Sequence, residues 1–241
     1  MRLRLPVLAL SALLGGNATA QEAAHPVKVT TDLGFVNTAG NTDITSLNLG
    51  ERLVYRNADS VWSFSQFASA VYGRTSGQET ANQLAAGVRL DRGLGSRLYL
   101  FSTLKWDKDR FAGISRRLEE VLGLSWRAID SKRDVLVAEV GSAFTQKQAT
   151  TGVDENSVAV RSAGTYRHSL TETAFVQQLL EVLPNVEDGQ DVRINSESSL
   201  VAPISRNIAV KLAYAIKFDN QPEPSFKKTD RLFTSGIQIV F

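Results

Sequence analysis

The chain has 241 residues, 43% of them hydrophobic, with 27 lysines and arginines against 25 aspartates and glutamates, two histidines and no cysteine. That inventory excludes a disulfide framework and any thiolate metal site. It also offers no clustered basic face of the kind that nucleic acid requires.

Residues 1–20, MRLRLPVLALSALLGGNATA, read as a cleaved secretory signal. Arg2 and Arg4 make a basic start, Leu5 to Leu14 is apolar apart from Ser11, and Ala18-Thr19-Ala20 is the small-residue pattern that a signal peptidase cuts after. The apolar run is too short for a membrane helix, which needs about 20 residues. Residues 21–241 are then expected to form one domain. Loss of Arg2 and Arg4 brings the basic residues level with the acidic ones, so the exported chain is formally neutral.

From Val27 the sequence repeats strand, turn, strand, with a side-chain period of two. Strands are expected to begin near Val27, Asp43, Val61, Ala81, Arg97, Arg117, Val135, Ser157, Glu172, Val192, Ile208 and Asp230. In RLYLFSTLKWDKD, Leu98, Leu100, Leu104 and Trp106 oppose Tyr99, Thr103, Lys105, Asp107 and Asp109. In IAVKLAYAIKFD, Ile208, Val210, Leu212, Tyr214, Ile216 and Phe218 oppose Ala209, Lys211, Ala213, Ala215, Lys217 and Asp219. Each strand would be roughly 11–14 residues long, whereas soluble strands are most often about 5–6 and tilted bilayer-crossing strands about 9–11. The stretch around Glu172–Leu183 alternates weakly, so about twelve strands are expected, give or take two.

The connections sort into two kinds. NTAGNT, TSGQET, RFAGISR, QATTGVDEN, PNVEDGQD and NQPEPSFKKT are mostly long and polar, while NADS, GLGS, IDSKRD, SLT and PISRN are mostly shorter. Outer-membrane barrels have short periplasmic turns on one rim and longer extracellular loops on the other. On that topology the outward phase places Tyr55, Trp62, Phe64, Trp126, Tyr166 and Phe241 near the short-turn rim, and Phe35, Tyr72, Trp106, Phe144, Phe218 and Phe233 near the long-loop rim. Two aromatic girdles bounding an aliphatic band suit a bilayer-facing wall better than the core of a soluble sandwich. In GIQIVF the alternation runs to the last residue, with Ile237, Ile239 and Phe241 on one face. A sheet in hydrocarbon must close on itself, so this strand is expected to pair with the first.

The inward phase carries Lys28, Asp32, Arg52, Arg56, Arg89, Asp91, Lys105, Asp107, Glu119, Arg127, Glu139, Arg161, Arg167, Arg193, Glu197, Lys211, Lys217 and Asp219. Buried charges are normally paired, so one reading is a mutually neutralising network that fills the barrel. The sharper reading is a narrow pathway for small polar or charged solutes, the bore being smaller than that of a porin of 16–18 strands. The mixture of signs argues against strong ion selectivity. Catalysis has little to work with. His25 precedes the first strand and His168 faces outward at the periplasmic rim, so neither can activate a serine at the outer face. An enzymatic reading rests only on carboxylate pairs such as Asp107 and Asp109. After them, RFAGISRR offers Arg110, Arg116 and Arg117 to lipopolysaccharide phosphates, or forms an ordinary solvated loop mouth. Glu187, Asp188 and Asp191 around Gly189 lack the ligand spacing of an EF-hand, and no metal or cofactor site is expected.

Four segments carry a resemblance. FVNTAGNTDITSLNLG, DKDRFAGISRR, FDNQPEPSFKKTD and TSGIQIVF, in that order, look like the YdiY-like family of salt-induced outer-membrane proteins, a family of unknown function. The similarity runs through the exported chain and implies an outer-membrane barrel linked to salt or osmotic stress. It supplies no catalytic or ligand residues. The alternating last strand with its terminal phenylalanine also resembles the signal read by the barrel-assembly machinery, which implies that machinery as a partner through Ile237, Ile239 and Phe241. Outer-membrane lipid and lipopolysaccharide are the other partners expected. The resulting expectation is an all-β, closed antiparallel transmembrane barrel without enzymatic activity, serving envelope integrity or small-solute passage. The alternatives are an outer-membrane lipid- or lipopolysaccharide-acting enzyme with an atypical site and, third, a soluble exported β-protein.

Overall fold

Backbone N–H and C=O groups in hydrocarbon have no water to bond, so a membrane-crossing sheet is stable only when every strand has two neighbours. The computed structural model, which describes residues 27–38, 44–56 and 61–241, meets that condition. Its strands are β1 (Val27–Thr38), β2 (Ile44–Arg56), β3 (Trp62–Thr75), β4 (Gln78–Gly93), β5 (Leu98–Asp109), β6 (Ile114–Asp130), β7 (Asp134–Ala149), β8 (Asp154–Ser169), β9 (Phe175–Pro184), β10 (Val192–Pro203), β11 (Ile208–Asp219) and β12 (Thr229–Val240). Each pairs antiparallel with the next, and β12 pairs with β1 to close the barrel. The signal segment and His25 lie outside the described residues.

The strands begin within a few residues of where the alternation places them. The weakly alternating segment is β9, the shortest strand at 10 residues. Its pattern is blurred because Gln178 stands on the outer face while Leu179 and Leu183 stand inside. The outward Gln178 amide is satisfied locally: it donates to the Leu179 carbonyl at 2.7 Å and to Ser196 Oγ at 2.9 Å, and accepts from Ser198. Strands β4, β6, β7 and β8 run 16–17 residues, longer than expected. They continue beyond the apolar band on the long-loop side, as β7 does from Phe144 to Ala149.

Burial follows the period of two. Leu122, Val140 and Leu180 on the outer wall are 60%, 54% and 49% exposed, whereas the inward Phe101, Ala143 and Leu183 are at most 1% exposed. Of the aromatics assigned to the two rims, Phe35, Tyr55, Trp62, Phe64, Trp106, Trp126, Phe144, Tyr166 and Phe233 are exposed on the outer wall, with Trp126 at 53%, and Phe241, just past β12, is at 69%.

The seam differs from the other junctions. β1 and β2 pair along their full length, from Val27↔Tyr55 to Thr38↔Ile44. β1 and β12 pair only from Thr30↔Val240 to Leu33↔Ile237, extended by reciprocal backbone bonds between Val29 and Phe241 of 2.9 and 3.3 Å. Glycine permits the approach at its upper end. A Cβ on Gly236 would lie 2.1 Å from the Leu33 carbonyl oxygen, and one on Gly34 2.7 Å from that of Ser235.

One polar pair interrupts the outer wall. Glu51 faces outward on β2, midway between Tyr55 and Leu47, and accepts a 2.9 Å hydrogen bond from Gln66 Nε2 on β3. Charged side chains at the bilayer midplane destabilise barrels, acids less than the roughly 2–4 kcal/mol of a basic residue. The double replacement Glu51→Leu/Gln66→Leu is therefore expected to stabilise the barrel by about 1–2 kcal/mol in urea titrations in lipid vesicles. A loss of stability would mean that protein, not lipid, covers this patch.

Candidate functional site

The lumen is the only part of a membrane barrel where side chains can hold water and charge together, and here it is divided. Along β4 to β10 the wall carries a continuous ion-pair network. Arg89 bonds Asp91 at 2.6 Å and Glu139 at 2.8 Å. Arg161 bonds Glu139 at 2.8 Å and Glu181 at 2.5 Å, and Asn195 Nδ2 donates to the second Glu181 oxygen at 2.8 Å. Phe101 lies beneath both arginines, its ring centroid 4.1 Å from the Arg89 guanidinium carbon and 5.6 Å from that of Arg161. Desolvation favours such stacking, since guanidinium is weakly hydrated and the ring face is electron-rich.

Toward the long-loop rim the network continues. Asp107 accepts two hydrogen bonds from Arg117, of 3.1 and 2.9 Å, with Lys105 at 3.7 Å. Arg193 pairs with Glu119 at 3.1 Å and donates to Thr145 Oγ1 at 3.0 Å. Lys217 reaches Asp109 at 3.3 Å, and Asp109 also accepts from the Ala112 N–H, capping the 3-10 turn Arg110–Ala112. On the opposite wall Lys211 Nζ meets Asp32 at 2.5 Å, and Gln238 Nε2 donates to the other Asp32 oxygen at 2.9 Å. Glu197 lines the same side.

Two expectations need correction. Arg117 is not a loop residue available to lipopolysaccharide, because it lies within β6, points inward and is held by Asp107. Asp107 and Asp109 are not a free carboxylate pair either, since each is engaged as described. His168 does stand at the outer periplasmic rim. Its Nδ1 is 2.8 Å from Asp134 Oδ1, to which Tyr166 Oη also donates at 2.6 Å. Asp188, read with Glu187 and Asp191 as a loose acidic group, accepts from the Gln190 N–H and from Gln221 at 2.9 Å each. Those bonds hold its carboxyl below the ordinary aspartate range.

Sequence reasoning did not mark Phe67, Phe101, Phe175, Lys147 or Glu181, all on the inward side. Their parity within β3, β5, β9 and β7 was the available signal.

Three cavities follow one another along the lumen. The lower one, about 1110 Å³, opens at the short-turn rim and is lined by Lys28, Arg52, Arg167, Arg206, Phe67 and Phe175 among others. It shares Asp32, Gly50, Ser69, Glu197 and Lys211 with a middle cavity of about 320 Å³. The middle one shares Lys105, Asp109, Arg117, Asn195 and Lys217 with an upper cavity of about 60 Å³. The upper cavity lies under the β11–β12 connection. There Glu223 pairs with Lys147 at 2.8 Å, and a Cβ on Gly113 would meet the Phe226 ring at 2.8 Å.

Comparison with known proteins adds four findings. The family model described as "Protein of unknown function, DUF481" matches residues 31–241. The "Uncharacterized protein YdiY" of Escherichia coli strain K12 is 25% identical over 216 residues, covering 89% of this chain and 83% of its own. Among solved structures, the NanC porin superposes with a TM-score of 0.51 at 11% identity, over 88% of this chain and 97% of that one. The translocator domain of the autotransporter NalP from Neisseria meningitidis gives 0.53 at 10% identity, over 92% and 90%. At those identities the likeness is one of fold.

Proposed function

The chain belongs to the DUF481 family and is an outer-membrane β-barrel, and from that premise we propose that it is a narrow, non-enzymatic pore for small polar and charged solutes, serving the envelope under salt or osmotic load. The series of three cavities with shared polar linings carries this reading, because it strings polar space along the lumen from the short-turn rim to the underside of the β11–β12 connection. Arg89, Asp91, Glu139, Arg161 and Glu181 line none of the three cavities, so that network stands beside the route as a fixed wall. The route's lower narrowing is the Asp32–Lys211 pair. Its upper one is the 60 Å³ space beneath the β11–β12 connection, room for only a few waters.

The non-enzymatic part of the reading is supported by the engagement of Asp107 and Asp109 in structural contacts and by the position of His168 outside the barrel. In the same reading the outer wall contacts lipid and lipopolysaccharide, and Ile237, Ile239 and Phe241 present the assembly signal to the barrel-assembly machinery.

Reconstitution in planar bilayers tests the pore. Steady unitary currents well below those of wide porins are expected, and Asp32→Ala/Lys211→Ala is expected to raise them. A folded, heat-modifiable barrel that passes no current at any salt concentration would overturn the proposal.

A further inference from the structure

The overall balance of inward charge hides a segregation. Ion pairs hold Lys105, Arg117, Arg193, Lys211 and Lys217 inside the middle and upper lumen, where only Lys108, Lys227 and Lys228 of the described lining lack one, but the cations of the lower chamber are held differently. Among the described residues, Lys28, Arg52, Arg167 and Arg206 line the chamber with no carboxylate at ion-pair distance. Four acids line it as well: Glu172 and Glu197, Asp32, which is already taken by Lys211, and Glu51, whose carboxylate faces the outer wall and is held by Gln66, against five cations including Lys211. The chamber is therefore a net positive space set in low-dielectric walls, a geometry that concentrates anions.

Two of these cations stand over rings, Arg167 stacked closely and Arg52 at the outer reach of a cation–π contact. The Arg167 guanidinium carbon sits 3.7 Å from the Phe175 ring centroid, and that of Arg52 is 6.0 Å from Phe67. Stacking occupies the flat face of a guanidinium and leaves its edge donors pointing free, ready for the paired oxygens of a carboxylate or phosphate. β2 and β8 are six strands apart in a barrel of twelve, so Arg52 and Arg167 reach in from opposite walls. A ligand that engages both therefore needs two anionic groups set apart from each other. Lys28 extends the first group, and Arg206, on the β10–β11 turn, stands at the open rim.

We propose that the periplasm-facing chamber is a binding site for a small polyanion, a solute carrying two or more carboxylate or phosphate groups spaced to bridge Arg52 and Arg167. It rests on the barrel's pore reading only for its orientation, since binding is measurable whether or not the barrel conducts. A volume of about 1110 Å³ exceeds that of most small-molecule sites, which suits an extended ligand.

Calorimetric titration of the full exported chain, folded in nanodiscs at low salt, tests this with tripolyphosphate, citrate and acetate as probes. Tripolyphosphate, citrate or both are expected to bind, with affinity falling as salt is added, while acetate does not bind measurably. Binding of one polyanion alone identifies phosphate or carboxylate as the chemistry recognised. Arg52→Gln/Arg167→Gln is expected to weaken binding about tenfold or more. Arg97→Gln, a cation on the same rim outside the chamber, should leave it unchanged. If the double variant does not fold, Arg206→Gln on the surface turn gives the same test with a smaller loss. Absence of binding by both polyanions, acetate binding as tightly as they do, or undiminished affinity in the chamber variants would overturn the proposal. Parallel bilayer recordings separate the two ideas: binding without current removes the pore and keeps the site, and current without binding does the reverse.

Discussion

Arg161→Ala is expected to lower the folding free energy by roughly 3 kcal/mol, among the largest effects of any single replacement in the lumen. The side chain is 14% exposed and joins Glu139 to Glu181, themselves 12% and 15% exposed. Removing it strands two carboxylates in a poorly hydrated wall, uncovers part of the Phe101 ring, and leaves Glu139 to Arg89 alone. Breaking one partner out of a buried pair typically costs about 3–5 kcal/mol, and partial hydration of the lumen places the estimate at the lower end. Replacing the whole group, as Arg161→Met/Glu139→Gln/Glu181→Gln, should recover most of that loss, because no charge is then left without its counterion. Urea titrations of the refolded variants in vesicles measure both. Equal loss in the single and triple variants would mean that packing on Phe101, rather than charge pairing, is what Arg161 supplies.

Excising residues 221–227 from the β11–β12 connection is expected to raise unitary conductance severalfold. That connection crosses toward the β6–β7 rim, where Glu223 meets Lys147 and Phe226 packs on Gly113. It is tied down further by Gln221 to Asp188 at 2.9 Å and by Asn220 to the Gln190 carbonyl at 2.8 Å. Beneath these contacts lies the 60 Å³ cavity, the smallest of the three in the lumen. Segments of a pore conduct in series and the narrowest contributes most of the resistance, so shortening the cover affects current more than any change in the wide lower chamber. Lys147→Ala, which frees Glu223 without deleting backbone, should give a smaller rise with flickering. Unchanged conductance in both variants would place the limiting constriction at Asp32 and Lys211 instead.

The fold was legible because a strand between lipid and water writes its two environments into alternate residues. IAVKLAYAIKFD became β11 without a shift of boundary, and β10 and β1 also begin where the alternation starts them. Where one environment is compromised the signal fades, as at β9 with its outward Gln178. The phase of a charged residue can be counted off the chain, but its partner cannot. Lys211 and Asp32 are 179 positions apart, and they meet only because the register of every intervening hairpin carries β11 around to β1. Arg117 was misread for a local reason. Asp109 caps a 3-10 turn, Gly113 takes a left-handed conformation with φ of 76°, and the connection is thereby so compact that β6 starts at Ile114. The gathering of unpaired cations in the lower chamber was equally hidden, since Lys28, Arg52, Arg167 and Arg206 are scattered over most of the sequence.

The short ladder joining β1 to β12 has a mechanical meaning. A cask under load yields at the joint with the shortest fastening, and β1–β12 is the shortest ladder of this wall. Here the joint lies between the chain's outermost strands, so parting it leaves every hairpin fastened. The wall can be prised open and reseal with no stave having to find a new neighbour.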